Sequence, residues 1–479
     1  MSGLRSRIQA LFKGPEEFDL TSGDIGKPLF FLSMPIVVTN LFQTAYNLAD
    51  TFWLGQYNTD ALAAISFAFP MVFLLISLGM GVSVAGSVLV AQYTGANAER
   101  EAEYAASQTV TFAALISFVL GTTGYFFVET FLDVMGASED VLPLASSYME
   151  VISLGLVFMF GFFVFVALMR GYGDTVTPML VMFGSVVLNI ILDPFVIFGW
   201  GPFPELGIQG AAVATVFSRA LALVVGLGIM FRGTRGVQIH LRDMVPDLGY
   251  LRRLVRIGLP ASIEGTGRAL SMNLLLFIVA LFADEVVAAY GIGTRVFSVV
   301  FLPAIAVARG VETMTGQNIG ADKPDRAAAA AGLAAKVLFG VLTAAGVVVW
   351  FAAAPIADVF TTDPEVVDIT TEFLRYVALT FGFIGIMRAY TGSFRGAGKT
   401  LTAAAISVLM LGIIRFPIAW VGADMVGESG IWVSFAISNV LGAVIAYGWY
   451  RRGTWRDGDL TEANVDTDDI GTEGVPTDD

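Results

Sequence analysis

Residues 186–195 read V-V-L-N-I-I-L-D-P-F. Asn189 and Asp193 stand four apart, which puts both on one face of a helix. The apolar run around them, near 176–198, is long enough to cross a bilayer, which takes about 20 residues. An ionised carboxylate in hydrocarbon costs on the order of 3 to more than 10 kcal/mol. An acid kept in such a run therefore marks a functional position. Asp50 ends a second apolar run, L-F-Q-T-A-Y-N-L-A-D over 41–50, and the pair Asp50 and Asp193 reads as an ion-coupling site.

Composition places the whole chain in the same solvent. Of 479 residues, 56% are hydrophobic and only 14% are charged, against about 25% charged in soluble domains. Cysteine is absent and His240 is the single histidine, so disulfides, cysteine-held metals and histidine-based triads are excluded. The net charge of −14 gathers in loops and in the stretch from Asp457 to Asp479, which lacks aromatics and reads as disordered. About twelve apolar runs are expected, near 28–53, 61–93, 104–128, 141–168, 176–198 and 207–231, then 255–282, 286–318, 327–355, 366–391, 400–421 and 429–450. Two of them, 61–93 and 286–318, are over-long, so they tilt or are broken at Pro70 and Pro303. Lys and Arg occupy one set of connections and the alternate connections carry only acids. By the positive-inside rule both termini and the 232–254 linker are expected to be cytoplasmic, in a multi-pass protein of the cell membrane. Residues 1–27 are expected to be a cytoplasmic or interfacial segment, where Leu4, Ile8, Leu11 and Phe12 recur at helical spacing and fit a short surface helix or a frayed terminus, and 453–479 an acidic, disordered tail.

The two halves repeat in one register. Pro35 and Pro260, Gln92 and Gln317, and Arg170 and Arg395 each differ by 225 positions. Each half has an even number of spans, so the repeats run parallel. The expected fold is all-α: a six-helix lobe over 28–231 and another over 255–452, related by a pseudo-two-fold axis along the membrane normal, with the substrate path between them. The same register supplies a control. Asp50, Asn189 and Asp193 map onto Leu275, Ile414 and Ile418, so the second lobe lacks the polar set. It carries instead Glu264, Arg268, Arg309, Glu312, Arg388 and Arg415, read as a buried packing network or as a polar wall that meets substrate. The G-A-G-K-T at 396–400 lacks the strand and first glycine of a phosphate loop, so no nucleotide is expected; Arg395 and Arg170 are expected to cap carbonyls or meet lipid phosphate.

Taken together, D-L-T-S-G-D-I-G-K-P-L, Y-N-L-A-D-T-F-W-L-G, Q-Y-T-G-A, R-G-Y-G-D-T and N-I-I-L-D-P-F, in this order and duplicated, resemble the multidrug and toxic compound extrusion (MATE) family over about 20–455. The nearer likeness is to its prokaryotic, DinF-like branch, which includes archaeal members. The resemblance implies a cation site at Asp50, Asn189 and Asp193, with a site threonine at Thr215. It also implies a first-helix kink at Pro35 and a pocket tyrosine at Tyr148, and Tyr46 and Asn47 are assigned to the pocket or its gate. The expectation is a secondary active exporter, not an enzyme. It would be a monomer in the lipid bilayer that admits H⁺ or Na⁺ while expelling organic, cationic or amphipathic small molecules. No cofactor, nucleic acid or metal is expected beyond Na⁺ at the three polar residues. A lipid-linked precursor flippase of the same superfamily is the alternative.

Overall fold

A computed structural model describes residues 19–134 and 138–461. The interfacial helix expected from Leu4 to Phe12, and the tail beyond 461, lie outside the described residues. The first lobe comprises α1 (Gly26–Tyr57), α2 (Thr59–Gly95), α3 (Glu99–Val134), α4 (Leu142–Leu154), α5 (Leu156–Tyr172), α6 (Val176–Phe198) and α7 (Ile208–Arg232). The second comprises α8 (Leu248–Val279), α9 (Asp284–Gly320), α10 (Pro324–Phe351), the short α11 (Ala353–Asp358), α12 (Pro364–Ala378) and α13 (Phe381–Gly396). It ends with α14 (Thr400–Val408), a π turn (Leu409–Arg415), α15 (Phe416–Val426) and α16 (Glu428–Arg451).

Among the described residues, nine helices are long and apolar enough to cross a membrane. Two pairs, α4 with α5 and α12 with α13, each cross as one span bent by 54° and 50°. The remaining span of the twelve is α8, whose mean hydropathy is depressed by Glu264, Arg268 and the arginines of its first turns. The bends fall at Gly155 and beside Thr380, 225 apart, so the duplication preserved the break as well as the motifs. The over-long α2 and α9 run unbroken through Pro70 and Pro303. Each is therefore one helix and not two segments, which overturns the expected break at the prolines and leaves tilt. Large apolar side chains such as Leu48, Phe118, Phe126, Val224, Phe277 and Val348 face outward from the bundle, where lipid rather than water meets them.

Small residues bring the helices together, as lipid-immersed packing requires. Along α10, Ala327, Ala330, Ala331 and Ala334 are wholly buried. Where α2 crosses α9, a Cβ on Gly95 would lie 1.9 Å from the carbonyl oxygen of Gln317, and one on Gly320 would lie 1.9 Å from that of Gln92. Gly81 of α2 and Gly258 of α8 meet in the same way. These cross-lobe contacts all lie toward the end of the bundle that carries the 232–247 linker, here the linker end.

The linker itself is docked. Asp243 accepts from Arg100 Nη1 and Nη2 at 2.5 and 2.6 Å, and Gln108 Nε2 donates to the carbonyls of Asp243 and Val245 at 2.6 and 2.8 Å. Hydrogen bonding from Arg100 holds the Asp243 carboxyl below its ordinary range. One sequence expectation is corrected at this end. The segment 453–461, read as the start of a disordered tail, folds back across both lobes. Trp455 stacks on Tyr450 with ring centroids 4.6 Å apart, Gln92 Nε2 donates to Gly458 O at 3.1 Å, and Leu460 N donates to Gln92 Oε1 at 2.7 Å. Arg253 also donates to the Leu460 carbonyl. Composition undercounted Trp455 and Leu460, whose burial outweighs the acids between them.

Candidate functional site

In the first lobe α1 and α6 pack side by side, and Asp50 and Asp193 face each other within hydrogen-bonding reach. Both helices continue past their acids, to Tyr57 and Phe198. Neither acid caps a helix end. Asp50 is 6% exposed and Asp193 and Asn189 are 0% exposed, so neither acid is a surface carboxylate. Asn189 Nδ2 donates to Asp193 Oδ1 at 3.1 Å, along the helix turn that their spacing predicted. Three buried oxygens of the cluster, Asp50 Oδ1, Asn189 Oδ1 and Asp193 Oδ2, have no hydrogen-bond partner among the described residues. Unsatisfied buried acceptors are costly, and a group of them is what a cation or a proton would satisfy.

Asp50 also lines a cavity of ≈ 600 Å³ whose walls include Tyr46, Asn47, Tyr148, Phe73, Phe163 and Thr215. The structure thus brings the expected pocket residues Tyr46, Asn47 and Tyr148 to one space. Thr215 shares that wall and is held by Tyr46, whose hydroxyl donates to Thr215 Oγ1 at 2.5 Å. Pro35 is not in the pocket wall. It lies fifteen residues before Asp50, about 22 Å along the helix axis, where Thr39 Oγ1 donates to its carbonyl at 2.8 Å.

Sequence reasoning missed Arg219. This guanidinium, from the middle of α7, is 2% exposed. It donates to Gln43 Oε1 and to Met182 Sδ, each at 2.8 Å, and lies 4.9 Å from the Tyr46 ring centroid and 5.1 Å from that of Phe162. Gln43 in turn donates to Asn47 Oδ1 at 3.1 Å. The signal was available: an arginine inside the apolar run 207–231 obeys the same rule that singled out Asp193. Two carboxylates beside one guanidinium leave the cluster one positive charge short of neutrality, the charge of one H⁺ or one Na⁺.

The second-lobe charges form a network. Glu264 accepts from Arg395 Nη1 at 3.3 and 3.1 Å and from Ser407 Oγ at 2.9 Å, and lies 3.5 Å from Arg268. Glu312 is held by Arg309 at 2.8 Å and by Arg395 at 3.2 Å. Arg395 is therefore a buried clamp between two glutamates and not a lipid-phosphate contact, which corrects the expectation above. Arg388 forms no ion pair among the described residues but lines one space with Glu264, Arg268 and Arg395, and Arg415 lies away from both glutamates. The duplicated glutamines explain themselves at the linker end. Gln92 Nε2 donates to Gly396 O at 3.0 Å in the other lobe, and Gln317 Nε2 donates to Gly171 O and Tyr172 O at 3.1 and 3.0 Å in the first. Gly171 and Gly396 are themselves 225 apart. Each half thus latches onto the R-G turn of its copy.

Comparison with known proteins agrees with this architecture. The MatE family model matches residues 35–195 and 260–421, two segments that begin 225 apart, in the register of the repeat. A Shewanella oneidensis protein named "FAD transporter" is 29% identical over 89% of this chain and 95% of its own length. The probable multidrug resistance protein NorM of Thermotoga maritima is 27% identical over 90% of this chain and 93% of its own. A solved outward-facing conformation of a multidrug resistance MATE transporter superposes with a TM-score of 0.85 at 25% identity, covering 92% of this chain and 98% of that one.

Proposed function

This chain belongs to the MATE family of membrane transporters, and on that premise we propose that it is a secondary active exporter in which H⁺ or Na⁺ entering at Asp50, Asn189 and Asp193 drives organic compounds outward. The observation that carries the reading is the trio of partnerless buried oxygens on those residues. Relatives named for multidrug export support an organic, cationic or amphipathic cargo. The relative named for FAD supports a second reading, in which the cargo is a bulky anion.

In this reading the linker end is cytoplasmic, as the distribution of Lys and Arg requires. The cross-lobe latches of Gln92 and Gln317 then close the inner side. With the inner side shut, the Asp50–Asp193 pair takes a cation, neutralising the cluster against Arg219. Thr215, tied to Tyr46, shares the cavity wall with Asp50 and is assigned to the same site. Neutralisation relieves the repulsion between the two facing carboxylates and frees α1 to change shape. The first helix then bends near Pro35, which supplies no N–H to the helix ladder. Bending shifts Tyr46, Asn47 and Asp50 into the cavity and displaces cargo outward. The lobes rock, the linker-end latches part, and the ion leaves inward. Each inward charge contributes about 2.3 kcal/mol per 100 mV of membrane potential. Dye efflux from proteoliposomes, first under a proton gradient and then under a sodium gradient, tests this with Asp50→Asn alongside. Gradient-driven efflux is expected to vanish in the variant; efflux at the parent rate refutes the coupling assignment.

A further inference from the structure

The second lobe holds a cavity that this ion-coupled cycle leaves without a role. It lies among α8, α9, α13, the π turn and α16, and its charged lining is Arg268, Arg388 and Arg415, with no carboxylate in its wall. The nearest acids are committed elsewhere. Glu264 is engaged by Arg395 and Ser407 as well as Arg268, and Glu312 by Arg309 and Arg395. Around this cavity and the adjoining space between the lobes, five guanidiniums (Arg268, Arg309, Arg388, Arg395, Arg415) face two carboxylates. An excess of three positive charges inside a bilayer is costly unless anions compensate it.

The arginines that line this cavity are also under-used. The Nε atoms of Arg388 and Arg268 are buried and have no hydrogen-bond partner among the described residues. Arg415 has only neutral partners: Nε donates to Ser438 Oγ at 2.9 Å, Nη2 donates to Asn439 Oδ1 at 2.8 Å, and the guanidinium lies 4.2 Å from the Phe435 ring centroid. The helix that carries it is irregular at that place. The π turn Leu409–Arg415 ends on this residue, whereas the matching stretch of α6 is regular. Single π turns recur where a helix must re-aim a functional side chain. Tyr290, Phe297, Phe301 and Phe435 supply ring faces to the same wall. At ≈ 110 Å³ the space is of the order of the roughly 150 Å³ cavity that accepts benzene. It suits one six-membered ring.

We propose that this cavity binds a small aromatic acid, its carboxylate or phosphate held by Arg268 and Arg388 at one end and its ring set against Phe297, Phe301 and Phe435, toward Arg415. Guanidiniums pair with such oxyanions in a fork, and the low-dielectric surroundings strengthen the pairing. The first lobe then handles a cation and the second an anion. The proposal rests on the exporter reading only in making this acid cargo; binding itself does not require it.

The test uses the full chain in nanodiscs of zwitterionic lipid. Radiolabelled benzoate is the probe, and phenyl phosphate, benzylammonium, inorganic phosphate and a short-chain phosphatidate are competitors. Benzoate is expected to bind one per chain and to be displaced by phenyl phosphate. Benzylammonium should not displace it, and the two ringless phosphates only weakly. Arg388→Gln is expected to weaken binding about tenfold or more, the worth of one charge-assisted pair, with Arg388→Lys recovering part of the loss and Asp50→Asn leaving it unchanged. Because the Arg388 guanidinium donates no hydrogen bond to a described residue, its melting temperature should stay near the parent's; if it falls, Arg268→Gln takes its place in the assay. Undiminished binding in the arginine variant, or displacement by benzylammonium, overturns the proposal. Displacement by phosphatidate ahead of phenyl phosphate overturns it in favour of a lipid headgroup. Absent benzoate binding beside intact gradient-driven efflux removes the acid site and leaves the exporter standing. Benzoate binding beside parent-rate efflux in Asp50→Asn does the reverse.

Discussion

One turn of one repeated helix carries Asn189 and Asp193 in the first lobe and Arg415 in the second. The partner helix inverts in the opposite sense. Arg219 of α7 stands next to Ser218, and Asn439 of α16 stands next to Ser438. Where one lobe puts its guanidinium on the last helix, the other puts it on the helix before. What the duplication retained is the frame: the two bends, the α2–α9 crossing at Gly95 and Gly320, and the glutamine latches. What it let diverge is the charge facing each cavity: one carboxylate, Asp50, beside one guanidinium, Arg219, in the first lobe, and Arg268, Arg388 and Arg415 without a carboxylate in the second. A scaffold feature recurs at the 225 offset, and a feature of the chemistry does not.

The sharpest way to break the comparison is to neutralise each side separately. Asp193→Asn is expected to cut gradient-driven efflux about tenfold or more, because the charge a cation must meet in the low-dielectric interior is gone. Arg388→Gln should leave ion counterflow intact. Proteoliposome flux with both variants checks this, and equal losses would mean that the lobes are not specialised.

The shared frame makes the opposite forecast, that matched substitutions act alike. Gly320→Val and Gly95→Val each place a Cβ 1.9 Å from a facing carbonyl. Overpacking of that kind costs about 1–3 kcal/mol and should loosen the linker-end seal by a factor of roughly 5–150. Since the chain has no cysteine, a single cysteine introduced at the linker end reports the opening through its labelling rate. Closely similar rates in the two variants support the symmetric latch, and a rate raised in only one contradicts it.

A smaller asymmetry separates the glutamines. Among the described residues Gln317 serves only the R-G turn, while Gln92 also holds Gly458 and Leu460 of the returning segment. Gln92→Leu should therefore speed hydrogen exchange of the 458–461 amides several-fold, at about 1 kcal/mol per lost bond, and Gln317→Leu should not.

The smallest effect is at the linker. Arg100 depresses the Asp243 carboxyl, so its contribution is present above the ordinary carboxylate range and is lost as pH falls through the lowered value. Arg100 is 47% exposed, so salt screens the pair. Exchange of the 241–247 amides should be flat from pH 7 to about 5, after correction for intrinsic rates, and should rise only in more acidic solution than an unpaired aspartate needs.

Much of this was legible beforehand for a physical reason. Burying charge in hydrocarbon is expensive, so Asp50, Asn189 and Asp193 stood out against their runs, and the 225 offset exposed Gln92 and Gln317 before their cross-lobe bonds were known. Arg219 was legible by the same rule and was passed over. The π turn was not: nothing in L-M-L-G-I-I-R distinguishes it from ordinary helix, because the irregularity is set by what Arg415 meets on α16. The packing of 453–461 was hidden as well. Its acids suggest disorder, and only the tertiary contacts of Trp455, Gly458 and Leu460 overrule them.

The central claim is that one cation neutralises the first-lobe acids and leaves when the lobes rock. Counting that ion on the purified chain tests it most directly, by measuring proton release with a pH indicator and ²²Na⁺ binding by equilibrium dialysis. The account predicts one H⁺ or one Na⁺ per chain, lost in Asp50→Asn and in Asp193→Asn and kept in Arg388→Gln. An ion that stays bound in both aspartate variants would contradict it.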